Sequence, residues 1–241
     1  MKIDQELCIL CGACLPYCPM NAISQEDEGM VIDQEECVEC SICRHADVCP
    51  TDALAPPELT WPRALRRVFS DPLATHEGTG VPGRGTEEMK TNDVTGRFLT
   101  GWAGMAAEIG RPGTGTRFTD VEKVAMAVAP LGVEFEPKNP VTFLMTDQAT
   151  GQIQKDVLEE KVLSAIVEFS VKLEKVPEVL NALREVANKI DTVFSVDLAS
   201  RVARDGSVPT VALAEAAGFT PSINGKINVG LGKPLYKEGQ R

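Results

Sequence analysis

The chain has 241 residues, 43% of them apolar and 24% charged, with a formal net charge of −11. That length suits one compact unit plus a smaller one, and no run approaches the ~18 apolar residues of a membrane-spanning helix. The charge is uneven, with twelve acids against two bases (Lys2 and Arg44) in residues 1–60 and 23 acids against 22 bases afterwards; an acidic first quarter argues against nucleic-acid or anionic-membrane partners and suits docking to a basic protein surface.

The opening Met1-Lys2-Ile3-Asp4-Gln5-Glu6 has no apolar stretch of the secretory kind, so a cytoplasmic location is expected. All eight cysteines lie between positions 8 and 49. In a reducing cytosol such crowding points to metal binding rather than to disulfides. Two motifs account for them: Cys8-x2-Cys11-x2-Cys14-x3-Cys18-Pro19 and Cys37-x2-Cys40-x2-Cys43-x5-Cys49-Pro50. The first has the spacing of a bacterial 4Fe–4S binding run, proline included. Three thiolates two residues apart can wrap three corners of a cubane from one short loop, and small residues such as Gly12, Ala13 and Ser41 let the backbone come close. Its N–H groups then point at sulfur. The fourth corner lies out of that loop's reach, and in two-cluster proteins the motifs exchange their fourth ligands. On that rule Cys8, Cys11, Cys14 and Cys49 form one ligand set and Cys37, Cys40, Cys43 and Cys18 the other. Structural zinc would use two Cys-x2-Cys pairs split by a longer loop, with no need for a third cysteine or a following proline.

The motifs are halves of an internal repeat. Ile3-Asp4-Gln5-Glu6 aligns with Ile32-Asp33-Gln34-Glu35 at an offset of 29, and Pro19-Met20-Asn21-Ala22-Ile23 with Pro50-Thr51-Asp52-Ala53-Leu54 at 31. Ile3, Ile23, Ile32 and Leu54 are expected to pack as a small shared core from short strands flanking each loop. With both motifs and this pseudo-symmetry, residues 1–56 resemble a bacterial-type ferredoxin with two 4Fe–4S clusters. The departure is the two-residue longer gap before Cys49, which holds Arg44 and His45. The resemblance implies two 4Fe–4S clusters and single-electron transfer to a protein redox partner. An expected partner is the catalytic subunit of an oxidoreductase, docking the acidic lobe or the glycine-rich segments that follow; the alternative is a ferredoxin fused to a small-molecule-binding regulatory or accessory domain, its site lined by the glycine-rich loop at 110–117.

Pro56, Pro57 and Pro62 make residues 56–62 a stiff connector. A short helix is expected from Arg63 to Phe69, with Arg66 and Arg67 exposed. Residues 70–118 read as loop, glycine-rich at 78–85 and again at 110–117. The second stretch precedes a helix and could cradle an anion, with Arg111 and Arg117 beside it, but it lacks the third glycine of a dinucleotide fingerprint. A helix follows from a Thr119-Asp120 cap to a stop at Pro130. Strands are expected at 133–135 and 141–145, a short helix from Asp156 to Leu163, and a half-buried strand at 167–173. A helix starts at Val176 with an apolar stripe through Val179, Leu180, Leu183, Val186 and Ile190. A strand carrying Phe194, Val196 and Leu198 and a last helix over 209–218 complete the pattern.

The fold class is α+β: a two-cluster lobe at 1–56, a Pro/Gly-rich connector at 57–118, an α+β sandwich at 119–220 similar in pattern to ferredoxin-like and ACT-type modules, and an extended arm at 221–241. No nucleophile, paired carboxylates or catalytic motif stands out in the C-terminal part, and the loop histidine His76 has no evident partner.

Overall fold

The computed structural model describes residues 1–80, 96–111 and 113–223. The loop expected across 81–95 and the arm expected beyond 223 lie outside the described residues.

The N-terminal lobe repeats itself in atomic detail. Strand β1 (Lys2–Ile3) pairs antiparallel with β4 (Leu54–Ala55), and β2 (Ile23–Glu26) pairs with β3 (Gly29–Ile32). Each half is pinned by an aspartate whose carboxylate closes a tight turn: Asp4 Oδ1 accepts the N–H of Glu6 at 2.9 Å, and Asp33 Oδ1 that of Glu35 at 2.8 Å. The same aspartates tie strand to strand through their own N–H groups, Asp4 to the Ala53 carbonyl and Asp33 to that of Ala22, both at 2.8 Å. Ile23 and Leu54 are buried with Met1 and Met30, and Ile3 and Ile32 pack against them, so the expected small core forms. The x5 gap contains a short helix, α1 (Ile42–His45).

The connector leads into α2 (Ala64–Ser70). Arg67 is exposed as expected, but Arg66 is buried at 3% exposure. Leu65 and Phe69 pin α2 to the C-terminal core, which turns the adjacent Arg66 into the junction between the two parts of the chain.

A four-stranded antiparallel sheet organises the rest. In chain order its strands are β5 (Trp102–Ile109), β7 (Glu134–Phe135), β11 (Ala165–Lys172) and β12 (Phe194–Ser200); in space they run β12-β5-β11-β7. Strand β5 corrects the sequence reading, which had that stretch as connector. It is a central strand, paired along its length with β11 and with β12. Its residues Ala103, Gly104, Ala106 and Ala107 lack the β-branched and aromatic side chains that announce a strand. Their smallness has a purpose here: a Cβ on Gly104 would stand 2.4 Å from Cζ of Phe98, whose ring lies there.

Helices α3 (Phe118–Val128) and α5 (Val176–Ala187) bury their stripes on the sheet; Val121, Val124, Val179, Leu180 and Leu183 join Met105, Ala107, Val167 and Phe169 in one core. Helix α3 starts one residue before the expected Thr119-Asp120 cap and ends at Val128, before Pro130. Residues 141–144 are helix rather than the expected strand. Asn139 caps a short helix there, α4 (Pro140–Leu144), its Oδ1 accepting the Val141 N–H at 2.8 Å with Pro140 in the first turn. Met145 then begins β8 (Met145–Asp147), which pairs with β9 (Gln152–Ile153). The helix expected from Asp156 shrinks to a 3-10 turn at Lys155–Val157, and β10 (Lys161–Val162) pairs with β6 (Thr116–Arg117). The final helix is α6 (Pro209–Ala216).

The glycine-rich 110–117 stretch is a strap pressed onto the N-terminal lobe. The N–H groups of Thr114 and Gly115 return to the Gly110 carbonyl. Gly115 has φ +72°, and a Cβ there would come within 2.6 Å of Met20 Cε, two residues past Cys18. Gly113 has φ +62° with open space around it. Gly115→Ala is therefore expected to cost more stability than Gly113→Ala. Left-handed strain of roughly 1–3 kcal/mol applies to both, and the close approach to Met20 and to the Val162 carbonyl, 3.2 Å from that Cβ, applies to Gly115 alone. Denaturant midpoints of the two variants check this; equal losses would mean that the strap does not bear on Met20.

Candidate metal centre

The loops of the N-terminal lobe enclose two cavities. Cys8, Cys11, Cys14 and Cys49 line the first, about 340 Å³ of space, together with Ile3, Met30 and Leu54. Cys37, Cys40, Cys43 and Cys18 line the second, about 330 Å³, together with Met1, Tyr17 and Ile23. Each set takes three cysteines from one motif and one from the other. All eight thiols are free of disulfides.

Backbone conformation explains how such short loops face inward. Leu10 (φ 58°) and Glu39 (φ 56°) hold the same left-handed geometry at equivalent positions, as do Gly12 (φ 68°) with Ser41 (φ 58°) and Asn21 (φ 55°) with Asp52 (φ 53°). Non-glycine residues rarely adopt this region, and they cluster where function needs an unusual loop. After each distal cysteine the chain turns back so that an amide meets sulfur: Ala22 N–H donates to Cys18 Sγ and Ala53 N–H to Cys49 Sγ, both at 3.2 Å. Such donors stabilise negative sulfur.

The sulfurs in each cavity also act on one another. Burial pushes the Cys43 thiol up to about 12, and the neighbouring Cys40, Cys18 and Cys37 add repulsion between like charges. Burial likewise raises Cys14 and Cys40. Cys49, half-buried, is lowered by the N–H of Thr51 and then by that of Ala53. Thiolates gathered this closely need a cationic centre between them. Among the described residues no three His, Cys, Asp or Glu side chains converge to hold a single metal ion. Four sulfurs spread around a cavity suit a core of several atoms, so the residues fit an iron–sulfur cube.

The second cavity lies at the junction with the C-terminal unit. Val38 and Cys40 are buried with Leu163, and Met20 and Ile42 pack against them. Arg66 donates from Nη1 to the carbonyls of Gln34, Glu35 and Cys37 at 2.9–3.0 Å and ion-pairs with Glu160. Arg63 reaches Glu39, itself 2% exposed, at 2.7 Å, and Lys161 pairs with Glu36. The sequence reading missed this bracket. Its trace in the sequence is the spacing of Arg63 and Arg66, three apart on one helical face.

Other singled-out residues lie away from the cavities. His45 Nε2 sits 3.5 Å from the buried Asp71 carboxylate, so the x5 gap leans on the end of α2. Arg111 pairs with Glu108 at 2.7 Å, and Arg117 donates to the Glu159 carbonyl at 2.6 Å. His76 is buried edge-on to Phe143, with Thr79 Oγ1 3.1 Å away, and burial lowers its pKa.

Residues 1–24 match a family model described as a 4Fe-4S binding domain. Ferredoxin-1 of Rhodobacter capsulatus is 43% identical over 56 residues, which span 22% of this chain and 86% of that protein. The chain belongs to the ferredoxins through its N-terminal lobe. Ferredoxin-3 of Chlorobaculum tepidum is 42% identical to the ferredoxin lobe over 60 residues, spanning 22% of this chain and 92% of that protein. A ferredoxin-like protein in the nif region of Sinorhizobium fredii is 45% identical over 53 residues, spanning 20% and 83%. These matches stop with the ferredoxin lobe, and no solved structure matches the chain significantly. Iron–sulfur electron transfer is thus the chemistry of the lobe. Among the described residues no helix is long and apolar enough to cross a membrane.

Proposed function

We propose that each cavity holds one 4Fe–4S cluster, with Cys8, Cys11, Cys14 and Cys49 as ligands of the first and Cys37, Cys40, Cys43 and Cys18 as ligands of the second. In this reading the chain relays low-potential electrons as the ferredoxin-type subunit of a larger cytoplasmic oxidoreductase of anaerobic metabolism. The crossed lining of the two cavities carries the proposal, because exchange of the fourth cysteine is the habit of two-cluster proteins. A bound cluster supplies one-electron chemistry; the protein positions it and sets its potential through hydrogen bonds, charge and exposure.

Membership of a larger assembly draws support from the lobe's attachment. A free carrier has no need of a second folded unit tied by Arg63, Arg66 and Lys161 to one of its cluster loops. For that unit we infer a ferredoxin-like sandwich of the ACT kind, with residues 119–220 extended upstream to Trp102. The connectivity β5-α3-β7-β11-α5-β12 with spatial order β12-β5-β11-β7 supports it.

Protein purified without oxygen is expected to be brown and to hold about eight irons per chain. A colourless protein with about two zincs per chain would overturn the reading. Native mass from the cells of origin tests the assembly: co-purifying chains at fixed stoichiometry support it, and a lone species at monomer mass speaks against it.

A further inference from the structure

The internal repeat supplies a comparison within one molecule. Ile9, Leu10 and Cys11 in the first loop correspond to Val38, Glu39 and Cys40 in the second, and Leu10 and Glu39 share nearly the same φ. The surroundings differ completely. Ile9 is 62% exposed and Leu10 47%, whereas Val38 is 1% and Glu39 2% exposed. Cys11 is exposed and Cys40 buried. Leu163 of the C-terminal unit packs against Val38 and Cys40, and Glu39 is held between Arg63 and the Met1 amino group. Equivalent loops around equivalent cavities therefore have opposite fates: one is capped and the other faces outward.

The outward loop has the make-up of a docking face. Leu7, 47% exposed, extends the apolar surface of Ile9 and Leu10 next to Cys11. One exposed apolar side chain means little, but three within four residues, with Ile9 on the cavity wall, form a patch. Exposed carboxylates lie nearby in the chain: Asp4 and Glu6 on the same segment, and Asp47 and Asp52 on either side of Cys49, which lines the same cavity. From residue 3 to residue 43 the chain has no Lys or Arg.

We propose that the Leu7–Cys11 face is the port through which this chain exchanges electrons, and that it fits a redox protein carrying an apolar patch inside a basic rim. The proposal rests on the two-cluster reading and deepens it. A cluster held by Cys8, Cys11, Cys14 and Cys49 would, when reduced, supply one electron at this face to an oxidised centre of the partner, with no bond made and no proton moved. The capped cluster then communicates with that partner through its exposed neighbour.

The test uses the full-length, cluster-loaded protein, with a basic c-type cytochrome as the probe. Three results are expected. Hydrogen exchange shows protection of the amides at 7–11 on mixing. A Leu7→Ser/Leu10→Ser variant, altered at two exposed side chains that do not line the cavity, with unchanged iron content and unchanged reduction by dithionite, binds the cytochrome at least about tenfold more weakly. Binding of the unaltered protein weakens as salt is raised. Unchanged affinity in the variant, no binding at low salt, or protection centred on Tyr17–Met20 beside the second cavity would each overturn the port. Protein lacking iron, or failing to reduce the cytochrome at any concentration, would instead overturn the two-cluster reading.

Discussion

A Cys18→Ser variant is expected to lose the iron of the second cavity and to keep that of the first, although Cys18 belongs to the first motif by sequence. The reason is placement: Cys18 lines the second cavity with Cys37, Cys40 and Cys43. Pairing substitutions makes the test sharp. Cys18→Ser combined with Cys37→Ser strikes one cavity twice and should leave about four irons per chain, while Cys18→Ser combined with Cys11→Ser strikes both and should leave none. Iron analysis with electron paramagnetic resonance of the reduced protein reads the result. The reverse pattern would show that each motif keeps its own four cysteines.

Arg66→Ala is expected to cost roughly 3–5 kcal/mol of stability, the range for breaking a buried ion pair from one side. The guanidinium is buried, and its loss strands Glu160 together with three backbone carbonyls in the second cysteine loop. Arg66→Lys should recover only part of the loss, since an ammonium cannot reproduce the planar fork that serves carbonyls and carboxylate at once. Arg66→Met with Glu160→Leu should come back close to the unaltered protein, because no buried charge is then left alone. Denaturant unfolding under anaerobic conditions measures all three. A loss below about 1 kcal/mol in Arg66→Ala would place the junction's strength in the apolar contact of Val38, Cys40 and Leu163.

The cysteine lobe was legible in the sequence because ligand chemistry dictates spacing. Cys-x2-Cys-x2-Cys leaves the backbone few ways to face a cavity, and the repeated Ile-Asp-Gln-Glu carries the turn hydrogen bonds on its aspartate. The stripe of α5 was legible because Val179, Leu180, Leu183 and Val186 all meet one core. Strand β5 was hidden because Ala103, Gly104, Ala106 and Ala107 look like loop until their neighbours are known; tertiary packing against Phe98 and Phe169 selects small residues there. The run Val141–Met145 looked like a strand, and the Asn139-Pro140 cap decided otherwise. Arg66 was placed outside on the general habit of arginine. Its partners lie about thirty and ninety residues away in the chain, and no local pattern announces them.

The crossing of Cys18 and Cys49 also sets an order of synthesis. The first cavity's thiols begin with Cys8 and are complete only with Cys49, while the second set is complete at Cys43. The two sites are thus nested like parentheses, and the loop that leaves the ribosome first is the last to be finished. A nascent chain halted between residues 43 and 49 would own one whole thiol set and one short by a member. For this lobe, the thiol set that begins first in the chain is completed last.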